Sequence, residues 1–329
     1  LVGGEFSLNG AYYAGSTATI EGQSVLSGTL ADGTVFVFSG LAGDSLNGVK
    51  LVAAPLPAAE PVHFLVNSAS SFIPRGLRPG QSLTLSGRAA LGANFAVHNA
   101  TLNVNSGTIG ESFETVGSSI NLTQGAISHY FKAHGPGVVN VAGGSVGNFF
   151  GIGSGTTLNV TGGTIGTNFS AAAGSVVNIR GGRFGAEFVA NAGSQINLVG
   201  SNFAIDGAPL EFNGITPAII AQRNVTLTGI LADGTPFNTY LFNRPGTFGF
   251  NYFSPDAIVT VALAIVPEPT APVLVAISIV LGLGIAQVQR RSDSPRPAAT
   301  SPGRRDATVP HATPPDCAPA RRAPARSRR

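Results

Sequence analysis

Apolar and polar residues alternate in short segments that return at a fixed spacing through the middle of the chain. The clearest segment is a triplet with Asn between two aliphatic residues: Leu102-Asn103-Val104, Ile120-Asn121-Leu122, Val139-Asn140-Val141, Leu158-Asn159-Val160, Val177-Asn178-Ile179 and Ile196-Asn197-Leu198. Successive Asn positions are 18, 19, 19, 19 and 19 residues apart. A further triplet, Leu83-Thr84-Leu85, lies 19 residues upstream with Thr in the place of Asn. This alternation is typical of half-buried β-strands.

The rest of each unit keeps the same period. A Gly is followed two positions later by an apolar residue, and a Phe comes four positions after that. The Gly positions are 107, 125, 144, 163 and 182, the apolar residues are Ile109, Ile127, Val146, Ile165 and Phe184, and the Phe positions are 113, 131, 150, 169 and 188. Three short strands per unit of about 19 residues predict the coil of a parallel β-solenoid. Leucine-rich repeats are the alternative, but Gly and Ser interrupt every candidate helix.

Two segments 201 residues apart have closely similar sequences. They are Leu26-Ser27-Gly28-Thr29-Leu30-Ala31-Asp32-Gly33-Thr34 and Leu227-Thr228-Gly229-Ile230-Leu231-Ala232-Asp233-Gly234-Thr235. The Asp-Gly pair in each favours a tight β-turn, because Gly accepts a positive φ and Asp can bond its own backbone. We interpret both segments as hairpin modules that cap a solenoid, whose terminal strands would otherwise be unpaired.

The predicted fold class is therefore all-β: a parallel β-helix with β-hairpin capping modules, followed by one membrane helix and a disordered tail. The predicted divisions are 1–54 for the end of a truncated first solenoid with its cap, 55–82 for a linker, 83–207 for the solenoid, 208–263 for its cap, 264–291 for a segment that contains a membrane helix at 271–288, and 292–329 for the tail. Because the chain opens at Leu1 inside a repeat, without a signal peptide, we expect a fragment or trimmed product.

Composition narrows the classes of function. The chain has 44 Gly and 20 Phe, and only 11% of its residues are charged, against roughly 25% in ordinary domains. A single cysteine, Cys317, excludes an internal disulfide and a cysteine-based zinc site, and we expect no cofactor. The net charge of +3 hides an asymmetry, since the segment after Gln289 carries ten Arg and three Asp. Only that basic tail is strongly charged, and its Pro, Ala and Arg content predicts disorder.

The C-terminal region contains Pro267-Glu268-Pro269, an apolar run of about 18 residues and the pair Arg290-Arg291. Such a run is just long enough to span a bilayer, and the Arg pair suits a cytoplasmic boundary. These three elements resemble the PEP-CTERM sorting tail of exported Gram-negative proteins, and the repeats resemble those of planctomycete-type exported proteins. The resemblance implies an exosortase-type partner that cleaves near the motif. The protein would be anchored in the inner membrane during export and then reach the cell surface or the extracellular matrix.

The repeats offer few residues for catalysis. Their charged residues are Glu111, Glu114, Lys132, Arg180, Arg183 and Glu187, and no pair of carboxylates recurs as acid/base chemistry on a sugar would require. Glu114 and Lys132 are 18 residues apart, which predicts stacking on adjacent coils as a surface ion pair. His129 and His134 are expected to be exposed turn residues, and no metal site is predicted. We therefore predict no enzymatic activity and no binding of nucleic acid.

The Asn positions of the repeat face outward in the predicted coil, because the aliphatic residues on either side of each point inward. One interpretation is an amide ladder that stiffens the stack. The other is a ligand face, made of Asn103, Asn121, Asn140, Asn159, Asn178 and Asn197, that binds a periodic partner such as an extracellular polysaccharide. The predicted function is a structural or adhesive surface protein. Carbohydrate binding by the Asn face is the alternative, and the remnant of a polysaccharide lyase or hydrolase is the third.

Overall fold

The computed structural model describes residues 1–22, 24–39, 46–57, 62–212, 216–246 and 249–264. Within these ranges the chain forms strands, turns and bends but no helix. No helix in this part of the chain has the length and hydropathy of a membrane span. The predicted membrane helix at 271–288 and the basic tail lie outside the described residues.

The strands are short, and their bounds follow the repeat. The N-terminal strands are β1 (Val2–Leu8), β2 (Ala11–Tyr12), β3 (Thr17–Ile20), β4 (Val25–Leu30), β5 (Val35–Ser39), β6 (Leu46–Lys50) and β7 (Val52–Ala53). The strands of the repeats are β8 (His63–Val66), β9 (Ser82–Leu85), β10 (Ala90–Leu91), β11 (Ala96–His98), β12 (Thr101–Val104), β13 (Thr108–Ile109), β14 (Glu114–Val116), β15 (Ser119–Leu122), β16 (Ala126–Ile127), β17 (Lys132–His134), β18 (Val138–Val141), β19 (Ser145–Val146), β20 (Gly151–Ile152), β21 (Thr157–Val160), β22 (Thr164–Ile165), β23 (Ser170–Ala171), β24 (Val176–Ile179), β25 (Arg183–Phe184), β26 (Val189–Ala190) and β27 (Gln195–Ile205). The last strands are β28 (Ala208–Pro209), β29 (Ala218–Ile219), β30 (Thr226–Leu231), β31 (Pro236–Tyr240), β32 (Tyr252–Phe253) and β33 (Ile258–Leu263).

The repeats wind into a parallel β-solenoid with three sheets, which confirms the predicted parallel β-helix. The first sheet contains β8, β9, β12, β15, β18, β21, β24, β27 and β33, the second contains β11, β14, β17, β20, β23, β26 and β32, and the third contains β10, β13, β16, β19, β22 and β25. Equivalent residues pair directly across coils, so that Asn140 lies opposite Asn121 on one side and Asn159 on the other. The seven strands of the second sheet correspond to about seven turns.

Left-handed backbone at the corners lets each coil change direction. The Gly of each repeat has a positive φ, as at Gly163 with φ 77°. A second corner comes directly before each repeat Phe, at Asn94, Ser112, Tyr130, Phe149, Asn168 and Glu187, with φ between 57° and 63°. Asn tolerates this conformation better than other non-glycine residues, and an aromatic residue tolerates it poorly. The two aromatic corners, Tyr130 and Phe149, are therefore strained positions.

The interior is built by stacking like residues. The repeat Phe side chains are buried and follow one another along the solenoid, with ring centroids 4.8 Å apart between Phe113 and Phe131 and 4.6 Å apart between Phe131 and Phe150. The last repeat Phe, Phe188, packs against Phe253 of β32, with ring centroids 5.2 Å apart. Each coil therefore gains its apolar burial from its neighbours, as the sequence period predicted.

The N-terminal and C-terminal modules have the same topology. In the first, β1 pairs antiparallel with β2 and β4 and parallel with β7, and β4 continues into β5. In the second, β27 pairs antiparallel with β28 and β30 and parallel with β33, and β30 continues into β31. Both Asp-Gly turns are closed by the Asp side chain, since Asp32 accepts from the Thr34 N–H and Asp233 from the Thr235 N–H.

One segment differs from the predicted linker. Residues 63–66 form β8, which pairs in parallel with β9 and adds a strand to the first sheet. Phe64 and Val66 point into the core while Leu65 is exposed, so that this strand has the inward and outward alternation of the later coils. This segment was predicted as part of the linker because Pro residues flank it in sequence. The remaining domain boundaries stay predictions.

Candidate functional site

The structure brings together the predicted Asn residues, whereas the predicted sorting residues lie outside the described residues. The latter are Pro267, Glu268, Pro269, Arg290 and Arg291. The Asn side chains form one column on the outer face of the first sheet, and each is half-buried.

The column is a continuous amide ladder. Each Asn Nδ2 donates to the Oδ1 of the Asn one coil earlier, and all five of these hydrogen bonds are 2.8 Å long, from Asn121 to Asn103, Asn140 to Asn121, Asn159 to Asn140, Asn178 to Asn159 and Asn197 to Asn178. At the C-terminal end, the Asn197 Oδ1 accepts from the Thr260 Oγ1 at 2.8 Å and from the Gln195 Nε2 at 3.0 Å. The predicted self-satisfying ladder is therefore present. Binding of a ligand by this face stays a prediction.

A second concentration of polar side chains lies on the outer face of the second sheet. Ala96, Glu114, Lys132, Gly151 and Ser170 occupy equivalent positions on successive coils. Two residues further along the strands, His98, Val116 and His134 do the same. The N-terminal module covers the first coils of this face, because β5 packs against β11 and β14. His98 is consequently only 1% exposed.

The covering module changes the ionisation of this cluster. Burial raises the pKa of Glu114 to about 7, although the neighbouring Lys132 ammonium opposes that shift. Burial lowers the pKa of His98 to about 4, and burial together with the charge of Lys132 lowers the pKa of His134 to about 4. The Lys132 pKa is also lowered, mainly by burial. Near neutral pH both imidazoles are therefore uncharged.

Several buried polar atoms of this interface lack hydrogen-bond partners within the described residues. They are the His98 Nδ1, the Glu114 Oε2 and the His134 Nε2, together with the Ser27 and Thr29 hydroxyls of β4. Unpaired buried polar groups are costly, so their concentration on one face is a feature that packing alone does not explain.

Two interpretations made from the sequence are wrong here. Glu114 and Lys132 do stack on adjacent coils, but they are half-buried, and no ion pair joins them among the residues the structure describes. His134 is not an exposed turn residue, because it ends β17 and is half-buried, whereas His129 is exposed as expected. The sequence period places these residues correctly on their coils. It carries no information about a module that packs on the side of the solenoid.

An open cleft of about 540 Å³ lies between the N-terminal module and the second sheet. One wall is formed by the module, through Asn9, Ser24, Val25 and Ser39, and the sheet side is formed by Lys132, His134, Gly135, Pro136, Gly151, Ile152, Gly153, Ser154, Ser170 and Ala172. Glycine keeps the floor open, since a Cβ at Gly151 would lie 2.8 Å from the Lys132 Nζ. A Cβ at Gly153 would likewise lie 3.2 Å from the His134 Nδ1.

The cleft is lined by one ammonium, a neutral imidazole, an amide and four hydroxyls. The described residues contain no group of three or more His, Cys, Asp or Glu side chains that could hold a metal ion. Comparisons of the chain with protein-family models, with curated proteins and with solved structures found no match.

Proposed function

We propose that this chain is a non-catalytic structural protein, a stiff solenoid segment that is exported and displayed at the cell surface or released into the matrix. The observation that carries the proposal is the pairing of coils through like residues, both inside and outside. Buried Phe rings stack along the interior, while the Asn ladder joins six consecutive coils across the outer face of the first sheet.

A stack of this kind supports a mechanical role. The central coils are bonded to one another by backbone hydrogen bonds of three sheets, by apolar burial and by side-chain amides, so that load is shared among them. The ladder also supports this role over adhesion by the same face, because one N–H and one lone pair of each bonded amide are already used within the stack.

Single-molecule force measurements test the mechanical role. The full chain is tethered at its two ends and stretched at constant velocity. Since one coil of 19 residues extends by about 60 Å when it is peeled off, we expect a series of steps of about that size. Featureless extension at low force would contradict the proposal. Deleting residues 151–169, which is one whole repeat, should remove one step and leave the others in place.

We further propose export through an exosortase-type system, on the sequence resemblance of residues 267–291. The test is expression of the epitope-tagged chain in a Gram-negative host that carries an exosortase, followed by fractionation. Wild-type chain should be shortened and accessible to protease on intact cells, whereas Glu268→Ala should stay full-length in the membrane fraction. Thr270→Ala, beside the motif, is the matched control. Equal processing of the Glu268 variant and the control would overturn the sorting proposal.

A further inference from the structure

The cleft between the N-terminal module and the second sheet has the character of a binding site with a definite chemistry. Its volume of about 540 Å³ lies within the range of about 300–1,000 Å³ that is usual for small-molecule sites. All the lining residues named above belong to the described part of the chain, and among them only Lys132 has a side chain that is charged at neutral pH, since His134 is neutral there. The site therefore favours an anionic group.

Hydroxyls dominate the remaining polar lining. Ser24 and Ser39 come from the module, and Ser154 and Ser170 come from the solenoid. With the amide of Asn9, they offer both donors and acceptors on opposite walls. A ligand with many hydroxyl groups matches this lining better than a peptide side chain or a lipid tail does, because each of its hydroxyls can also both donate and accept.

Two exposed aromatic residues stand in the chain close to residues that line the cleft. Tyr130 and Phe149 stand two residues before Lys132 and Gly151 on adjacent coils, and their rings are nearly parallel, with centroids 5.0 Å apart and an angle of 8°. Tyr130 is 47% exposed and Phe149 is 41% exposed. Because these rings stack on each other, each covers one face of the other, and the surface that stays exposed is apolar and can contact the apolar face of a sugar ring.

Tyr130 and Phe149 also share the left-handed corner that Ser112 and Glu187 occupy on neighbouring coils. Tyr130 and Phe149 have φ of 62° and 61°, whereas Asn94 and Asn168 occupy the equivalent corner on other coils with φ of 57° and 60°. Asn meets the requirement of this corner at a lower cost. The aromatic residues are thus placed where the backbone does not favour them, on two adjacent coils and two residues before Lys132 and Gly151.

We propose that this cleft binds a carboxylate-bearing saccharide, with the sugar carboxylate against the Lys132 ammonium, the ring hydroxyls on the serine and asparagine lining, and a neighbouring sugar ring against the exposed surface of Tyr130 and Phe149. This site is distinct from the Asn ladder, which belongs to the first sheet. The inference goes beyond the structural role and does not depend on it, since a stiff solenoid can be present whether or not its second sheet binds a sugar.

Calorimetric titration of the full chain tests the proposal with oligogalacturonate, oligoglucuronate and oligomannuronate of four residues. We expect at least one of them to bind with a dissociation constant below about 1 mM. Its methyl ester, which keeps the hydroxyls and loses the charge, should bind about tenfold more weakly, as expected for a lost charge-assisted contact. A sulfated oligosaccharide that binds more tightly than all three uronates would overturn the choice of carboxylate.

Variants then locate the site. Lys132→Gln should weaken binding about tenfold, and Arg183→Gln, which removes a cation from the third sheet, is the matched control that should bind like wild type. Tyr130→Asn introduces the residue found at the equivalent corners, so it should keep the fold and still weaken binding. Gly151→Ala, which displaces the Lys132 ammonium, provides a second disturbance if Lys132→Gln alters the fold. Absence of binding by all three uronates, or equal binding by Lys132→Gln and Arg183→Gln, would overturn the proposal.

Discussion

The donor and acceptor roles within the amide ladder predict different effects for two substitutions of Asn159, in the middle of the column. Its Nδ2 donates to the Asn140 Oδ1, and its Oδ1 accepts from the Asn178 Nδ2. In Asn159→Asp the acceptor remains and the donor is lost, so that a carboxylate oxygen faces the Asn140 Oδ1 at a position that was 2.8 Å away. In Asn159→Ala both hydrogen bonds are lost without any repulsion.

The magnitudes follow from these two changes. Each half-buried hydrogen bond contributes about 1 kcal/mol, so Asn159→Ala should lower the free energy of unfolding by about 1–2 kcal/mol. Asn159→Asp keeps one bond, made stronger by the charge, but adds repulsion between two oxygens, and we expect its cost at pH 7 to exceed that of Asn159→Ala by about 1 kcal/mol. Below the pKa of the new carboxyl, its proton restores a donor toward Asn140 and the excess cost should disappear.

The assay is urea denaturation followed by circular dichroism at pH 7 and pH 4, with each variant compared with wild type at the same pH. That comparison cancels the titration of groups common to all the proteins. Thr157→Ala, on the same outer face of β21 but outside the ladder, is the matched control and should change stability little at either pH. Equal destabilisation by Asn159→Asp and Asn159→Ala at both pH values would refute the donor direction of the ladder.

Three further predictions concern the core, the interface and the turns. Phe150→Ala should lower the free energy of unfolding by about 3–5 kcal/mol in urea denaturation, whereas Phe149→Asn at the neighbouring exposed corner should cost little. Because burial lowers the pKa of His98 from 6.5 to about 4, the folded state binds fewer protons than the unfolded state between these pH values, and the free energy of unfolding should fall by up to about 3 kcal/mol as the pH is lowered through this range. His98→Gln should reduce that loss in thermal denaturation. Glu114 acts in the opposite direction, because its raised pKa makes stability fall as the pH rises from about 4.5 to about 7. Asp233→Ala should lower the free energy of unfolding by about 1–2 kcal/mol in the same assay, because the Asp233 carboxylate accepts hydrogen bonds from the N–H groups of Gly182 and Thr235. The comparison is Asp32→Ala, which removes an exposed ion pair with Arg75, and equal destabilisation by the two variants would contradict this prediction.

The solenoid itself could be predicted from the sequence because its contacts are periodic. A residue in one coil meets its equivalent 18 or 19 positions away, so that Phe131 on Phe150 and Asn140 on Asn159 are both visible as columns in an alignment of the chain with itself. The side chains that point into the interior could also be predicted, because the inward positions are aliphatic or aromatic in every copy of the repeat.

The cluster around Glu114 could not be predicted in the same way. Its burial arises from β5, which packs on β11 and β14 from about 60–80 residues upstream with no periodic relation to them. From the sequence alone, a carboxylate and an ammonium on adjacent coils are most simply a solvated pair. What turns them into a partly desolvated cluster is a contact made by a different part of the chain, and its consequence, the raised pKa of Glu114, is visible only once that contact is known.

A comparison of the two hairpin modules indicates, from the sequence, that the first module has a lateral contact. Their internal registers are alike because the segments Leu26–Thr34 and Leu227–Thr235 are alike, but their outward strands differ: β5 reads Val35-Phe36-Val37-Phe38, and β31 reads Pro236-Phe237-Asn238-Thr239. Val35 and Phe36 are buried, and the Val35 N–H bonds the Arg75 carbonyl beside the solenoid. The outer strand is consistently apolar in the first copy of the module but not in the second, which indicates that this strand of the first copy packs against another part of the protein. That comparison predicts a lateral contact for the first module, and it is this contact that forms the wall of the cleft.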